Sequence, residues 1–176
     1  MAKSSPSHRG TPAASIRDCP AISSGENGPV AVRMKTAASL DGTTALTNGH
    51  SQWITSPEAR TDGHAWRKRA SALLTGIGTV LEDDPRLDVR LVPTARQPVR
   101  VVVDSRLDMP ATARILQPPG EVWIYTAAAP ANSAARRAAL QEAGATVIDC
   151  PGPRGKVDLP AMLRDLAQRN INELHV

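Results

Sequence analysis

Four short apolar runs, SALLTG at 71–76, VRVVV at 99–103, EVWIYT at 121–126 and ATVI at 145–148, lie among stretches of helical spacing or helix-start signals before the first, after the first, between the last two and after the last. Runs apolar at nearly every position, rather than at every second one, belong to strands covered on both faces. Parallel strands also need long crossover connections between them. The alternation therefore predicts an α/β domain with a largely parallel sheet. VAVRMKT at 30–36 predicts a further strand before these four, with a turn over 37–42, and NELHV at 172–176 predicts one after them. Ser56-Pro57-Glu58 reads as a helix start: a hydroxyl for free N–H groups, a proline for the first helical position, and an acid for the helix dipole. Ala59, Gly63, Trp66 and Ala70 follow at helical spacing. Asn132 or Ser133 opens an Ala-rich helix to about Ala143, closed by Gly144, and residues 159–168 predict a helix with Pro160 at its start.

The chain has 176 residues, 41% of them hydrophobic, which suffices for one domain with a real core; with no Phe and one Tyr, that core is built from Val, Ile, Leu and Ala. Residues 1–28, rich in Ser, Pro and Gly, predict a disordered tail, leaving 29–176 as the domain. The formal charge of +4 fits an anionic partner. Basic residues are scattered outside Arg67-Lys68-Arg69, and aromatics are too few to stack bases, so a phosphate-bearing small molecule is expected and nucleic acid is not. Cys19 and Cys150 are isolated thiols with no metal-ligand spacing. No apolar stretch has the length of a membrane span, no secretory signal precedes the domain, and a cytoplasmic location is expected without membrane partners.

Polar and glycine-containing turns recur at the ends of the predicted strands between Lys35 and Arg90, where a nucleotide-handling cleft needs close backbone approach. Gly76-Ile77-Gly78-Thr79 follows a strand and precedes a short helical stretch, so its backbone and hydroxyl suit a phosphate. As a dinucleotide fingerprint it fails, because Leu81 stands where a third glycine is needed. A plain tight turn is the competing reading. Glu82-Asp83-Asp84-Pro85 reads as a helix end and turn rather than a metal site, with Asp83 free to bond a ribose hydroxyl. Arg67 and Arg90 are either surface charge or a clamp for a phosphate monoester, which a planar guanidinium suits. Trp53 is either core or a platform for a planar ring, and His50 and His64 read as lone surface histidines. Neither a G-x-S-x-G elbow nor the paired motifs of a zinc deaminase occur.

Taken in order, KTAASLDGTTA, NGHSQWITSPEAR, HAWRKRASALLTGIGTVLEDDPRLDVR and RQPVRVVVDSRLDMP resemble the reductase half of the bacterial bifunctional riboflavin-biosynthesis deaminase/reductase, from about Val30 to Val176. The resemblance implies a dihydrofolate-reductase-like mixed sheet with helices on both faces. It implies NADPH-dependent reduction of 5-amino-6-(5-phosphoribosylamino)uracil, with hydride passing to C1′ of the opened ribose and no strong base required. Carried over by position, Ala37, Trp53, Thr79, Asp83 and Ser105, with Gly76 and Gly78 of the phosphate turn, would contact NADPH. Ser51, Arg67, Leu87 and Arg90 would hold the pyrimidine or its phosphoribosyl arm. Lys35 and Asp41 would face the cleft without an assigned role, and no catalytic residue or metal is implied. In the family a deaminase half precedes this domain, and a glycine-containing loop with further strands follows the strand that ends here at Val176. Residues 1–28 are therefore expected to be a remnant linker and the chain a fragment whose unfinished sheet invites self-association. The alternatives are an inactive fragment and a reductase of another pyrimidine- or pterin-like substrate.

Overall fold

A computed structural model describes residues 14–22, 30–39, 42–44, 47 and 55–176. In chain order its elements are β1 (Ala14–Ile22), β2 (Val30–Ala37), α1 (Pro57–Arg69), β3 (Ala72–Gly76), α2 (Ile77–Asp83), β4 (Val99–Val103), β5 (Val122–Thr126), α3 (Pro130–Glu142), β6 (Ala145–Asp149), α4 (Leu159–Gln168) and β7 (Glu173–His175). These strands form one mixed sheet in the order β1-β2-β7-β3-β4-β5-β6. β1 runs antiparallel to β2, and the other pairings are parallel. The last strand in sequence thus enters the middle of the sheet: His175 is in register with Arg33 of β2 on one side and Leu73 of β3 on the other.

Each face of the sheet has its own core. Val101, Trp123, Tyr125 and Leu174 pack on Met162, Leu166 and Ala167 of α4. On the opposite face Val102, Val122 and Ile124 pack on Val80 of α2 and Leu140 of α3. Adjacent strand residues point to opposite faces, so Val101 and Val102 of VRVVV feed the two cores, which is why the run is apolar at every position but Arg100. Helices cover both faces, as the resemblance implies. Among the described residues no helix is long and apolar enough to cross a membrane.

Local chemistry sets the helix ends. Ser56 Oγ accepts the Ala59 N–H at 3.2 Å to open α1, and Arg67, Lys68 and Arg69 fill the last turn, where cations favour the dipole. Asp158 caps α4 by accepting the Ala161 N–H at 2.9 Å. The expected start of α3 needs correction. The helix begins at Pro130, and Ser133 bonds back to the Ala129 carbonyl at 3.0 Å from inside the first turn. Proline has no N–H to lose at a first helical position, so Pro130 opens the helix ahead of the better capping residues. A second correction concerns the tail: Ala14–Ile22 is not irregular but pairs with β2 from Ala14↔Ala37 to Ile22↔Val30. The Ser, Pro and Gly that predict disorder sit mostly on either side of this segment. Within it, Pro20 falls where the register shifts between Cys19 and Ile22, as a residue without an N–H to donate does.

Candidate functional site

The sheet and α1 place the polar groups. Arg33, His175 and Leu73 are in register on one face, and the residues two further along, Lys35 on β2 and Thr75 on β3, lie towards the carboxyl ends of their strands on that face. α1 lies over it, held in part by the Arg33 guanidinium, which stacks 4.2 Å from the Trp66 ring centre and also pairs with Glu173. Between α1, these strand ends and the segment after α2 is a cavity of about 640 Å³. Lys35, His64, Arg67, Leu87, Arg90 and His175 are among its lining residues, and no Asp or Glu is among the described ones.

The segment over 84–90 is bent sharply, with left-handed backbone at Asp84 (φ 40°) and Leu87 (φ 49°). A side chain there costs about 1–2 kcal/mol, so neighbouring bonds must hold the bend. Gln97 does so at both main-chain polar groups of one residue: Val89 N–H donates to Oε1 at 2.8 Å and Nε2 donates to the Val89 carbonyl at 2.9 Å. Asp88 is buried and takes Arg86 Nε on Oδ2 at 3.0 Å and Arg90 Nη1 on Oδ1 at 2.6 Å. Its carbonyl accepts Arg67 Nη1 at 3.4 Å. The Arg90 N–H donates to His64 Nδ1 at 3.2 Å.

These contacts set the charges. Burial, then the Arg67 and Arg90 charges, push the His64 imidazole down to about 4, against partial opposition from Asp88, so it is neutral at physiological pH. Burial and then Arg67 lower Lys35, and burial followed by the charges of Arg67 and Arg33 lowers His175. Burial raises the Asp88 carboxyl, but the hydrogen bonds and charges of Arg90 and Arg86 outweigh it and hold the group below its usual value. Arg67 is likewise lowered by burial and by Arg90. The wall is a crowded cationic surface suited to an anion, since each cation there is less favourable alone than beside a negative ligand.

Arg67, Leu87 and Arg90, expected to share one substrate, do meet on this wall, which also borders a smaller recess of about 250 Å³ holding Asp83 and Arg114. Ala37 and Gly76 end β2 and β3, Ser105 follows the end of β4, and Gly78 and Thr79 lie in the first turn of α2. Gly76-Ile77-Gly78-Thr79 is a strand-to-helix junction rather than a tight turn: Gly76 caps α2 with φ −90° and ψ 159°, and neither glycine has a positive φ. A Cβ added at either glycine would meet nothing within 4 Å, so neither backbone nor packing requires them, and the space before the helix start is open. Thr79 and Asp83 are four residues apart on one side of α2. The Ser105 hydroxyl accepts the Val157 N–H at 3.1 Å, and its carbonyl accepts the Ala127 N–H at 3.2 Å. Ser51 and Trp53, with Asp41 and His50, lie outside the described residues. Asp84 Oδ1 accepts the Arg114 N–H at 2.8 Å. His64 is not a surface residue but is 5% exposed, facing inward one helical turn before Arg67. That i, i+3 spacing was its one signal in the sequence; His175, Asp88 and Gln97 gave none.

The profile of the RibD C-terminal domain family matches residues 30–176. The riboflavin biosynthesis protein RibD of Bacillus amyloliquefaciens is 39% identical over 82% of the chain, and that of Escherichia coli (strain K12) is 38% identical over 82%. These matches span 38% and 41% of the two relatives, so the chain corresponds to well under half of each. A solved structure of Acinetobacter baumannii RibD superposes with a TM-score of 0.64 at 33% identity, covering 82% of this chain and 38% of that one. A Thermotoga maritima protein, described as a diaminohydroxyphosphoribosylaminopyrimidine deaminase/5-amino-6-(5-phosphoribosylamino)uracil reductase, gives 0.61 at 30%, covering 81% of this chain and 37% of that one. With strand order, cationic wall and open helix junction already in view, the chain belongs to the RibD C-terminal domain family.

Proposed function

We propose that the domain reduces 5-amino-6-(5-phosphoribosylamino)uracil to the ribitylamino compound with NADPH, a step of riboflavin biosynthesis. One observation carries this reading. At the carboxyl ends of the parallel strands, where α/β sheets hold ligands, lies a cavity with Lys35, Arg67 and Arg90 on its wall and no Asp or Glu among the described lining residues. A phosphate monoester carries the charge that such a wall lacks, and two guanidinium groups can grip it by parallel hydrogen bonds. The Thermotoga relative, whose description includes this reductase activity, supports the choice of substrate.

Arg67, Leu87 and Arg90, with Ser51, hold the substrate in this reading. Ala37, Trp53, Gly76, Gly78, Thr79, Asp83 and Ser105 hold the dinucleotide. The residues present fit it: the open junction at Gly76 and Gly78 admits a phosphate to the first turn of α2, beside the exposed Thr79. When bound, NADPH supplies a hydride to C1′ of the opened ribose, an imine carbon conjugated to the aminouracil. The chain's own part is positioning: the arginines fix the 5′-phosphate end, and Lys35 and Thr75 present polar groups on the same cavity wall to the sugar. Steady-state kinetics of Arg67→Ala tests the assignment. The KM for the phosphorylated substrate should rise about tenfold or more, the loss of one charge-assisted contact, with NADPH affinity unchanged. A fall in NADPH affinity with substrate binding intact would refute it, and turnover of dihydrofolate in preference to the phosphorylated compound would select a different substrate.

A further inference from the structure

The reading above, on which this inference rests, asks two arginines of like charge to stay side by side before any anion arrives. They come from separate pieces of the chain: Arg67 from α1, Arg90 from the bent segment after α2. Besides burial, Arg90 lowers the hold of Arg67 on its proton, and both arginines lower that of His64 beside them, which is the mark of like charges at close range. Asp88 touches both side chains, taking Arg90 Nη1 on Oδ1 at 2.6 Å and Arg67 Nη1 on its carbonyl at 3.4 Å, but the Arg90 side chain is still about half exposed and its main chain is not held by these bonds. Only one direct bond joins the Arg90 main chain to α1 among the described residues, and it runs to the imidazole one turn before Arg67.

We infer that His64 is a positioning residue for phosphate recognition: its Nδ1, by accepting the Arg90 N–H, sets the spacing between the guanidinium groups of Arg67 and Arg90. The bond also fixes the tautomer. With Nδ1 accepting, the ring proton of the neutral imidazole is on Nε2. Burial at 5% exposure keeps the ring in one place. A charged imidazole would donate from both nitrogens and could not accept this bond, so the neutral form is the one the loop needs. His64 thus acts through Arg90 and α1 rather than through the reacting atoms.

The side chain of asparagine puts an oxygen near the position of Nδ1, whereas leucine fills similar volume with no acceptor. The test compares His64→Asn and His64→Leu with the unaltered chain in two measurements: calorimetric affinity for ribose 5-phosphate and amide hydrogen exchange at Arg90. Expected is a loss of about tenfold in ribose 5-phosphate affinity and faster exchange at Arg90 in the leucine variant, both largely restored in the asparagine variant. If leucine costs no affinity, or asparagine does no better than leucine, His64 is not a positioning residue. Should the leucine variant fail to fold, His64→Ala against His64→Asn gives the same comparison. If the unaltered chain shows a protected Arg90 amide yet no affinity for ribose 5-phosphate, the substrate reading falls. The phosphate role of His64 then falls with it, leaving the bond as a contact of the fold. A protected amide and good affinity, both unmoved by leucine, would sink this inference alone.

Discussion

Replacing Gln97 with methionine isolates the energetic weight of the bent segment that carries Leu87 and Arg90. Methionine keeps the length of the side chain and removes its amide, so both bonds to Val89, at 2.8 and 2.9 Å, are lost together. Val89 is 4% exposed, and its N–H and carbonyl would be left without those partners. A stranded buried polar group costs about 1–3 kcal/mol, so the gross loss is about 2–6 kcal/mol. Arg90 and Leu91 next door are exposed, which lets the segment relax towards water and recover part of this. The expected net loss is about 2–3 kcal/mol, or roughly 30- to 150-fold in the unfolding constant. Urea unfolding followed by tryptophan emission measures it, and deuterium exchange at Val89 locates it. With its brace removed, the left-handed backbone at Leu87 should relax, so ribose 5-phosphate affinity should fall in the same variant. A loss below about 0.5 kcal/mol with the Val89 amide still protected would show that the bend is held elsewhere, and the reasoning would fail.

Other expected outcomes concern the cores, the helix junction and pH. Leu166→Ala, at a fully buried position under the sheet, should lower stability by about 2–5 kcal/mol by chemical denaturation. Gly78→Ala, where a Cβ meets nothing within 4 Å, should leave stability unchanged or raise it by up to about 1 kcal/mol while weakening NADPH binding in calorimetry. Unchanged NADPH affinity would remove the junction from the cofactor site. Because the folded state holds His64 at about 4 against an ordinary 6.5, the unfolded chain binds more protons between those values. Stability should therefore be full above pH 6.5 and fall as pH drops towards 4, with His175 adding in the same direction. His64→Asn should flatten that slope without abolishing it, as denaturation midpoints across this range would show.

The strands were legible because a run such as VRVVV must supply two cores at once, which no amphipathic helix needs to do. The helix start at Ser56 rests on a side-chain bond to a nearby N–H, local enough to be read from neighbours in sequence, and the start of α4 was read from Pro160, while the Asp158 cap was not. The entry of β7 between β2 and β3 was not legible, since a three-residue strand carries no mark of its partners. Nor was the pairing of Ala14–Ile22, where an available sheet edge outweighs composition. At the site, Arg67 and Arg90 were singled out as phosphate ligands, and their meeting on one wall followed from the family resemblance. The burial of His64 was hidden because a polar residue on a weakly amphipathic helix gives no sign of what faces it. Gln97 and Val89 meet through a closed loop, a contact that spacing alone does not announce.

The insertion of β7 has a consequence for how the molecule is made. Ser71 and Glu173, 102 residues apart, must come together before β2 and β3 share a neighbour. Closing a loop of that size carries about 4 kcal/mol of chain entropy, against a few contacts from a three-residue strand. On the ribosome, everything up to α4 emerges before the strand that joins the two parts of the sheet. Until then the facing edges of β2 and β3 are open to other chains, making this interval the one in which a nascent molecule most needs a chaperone.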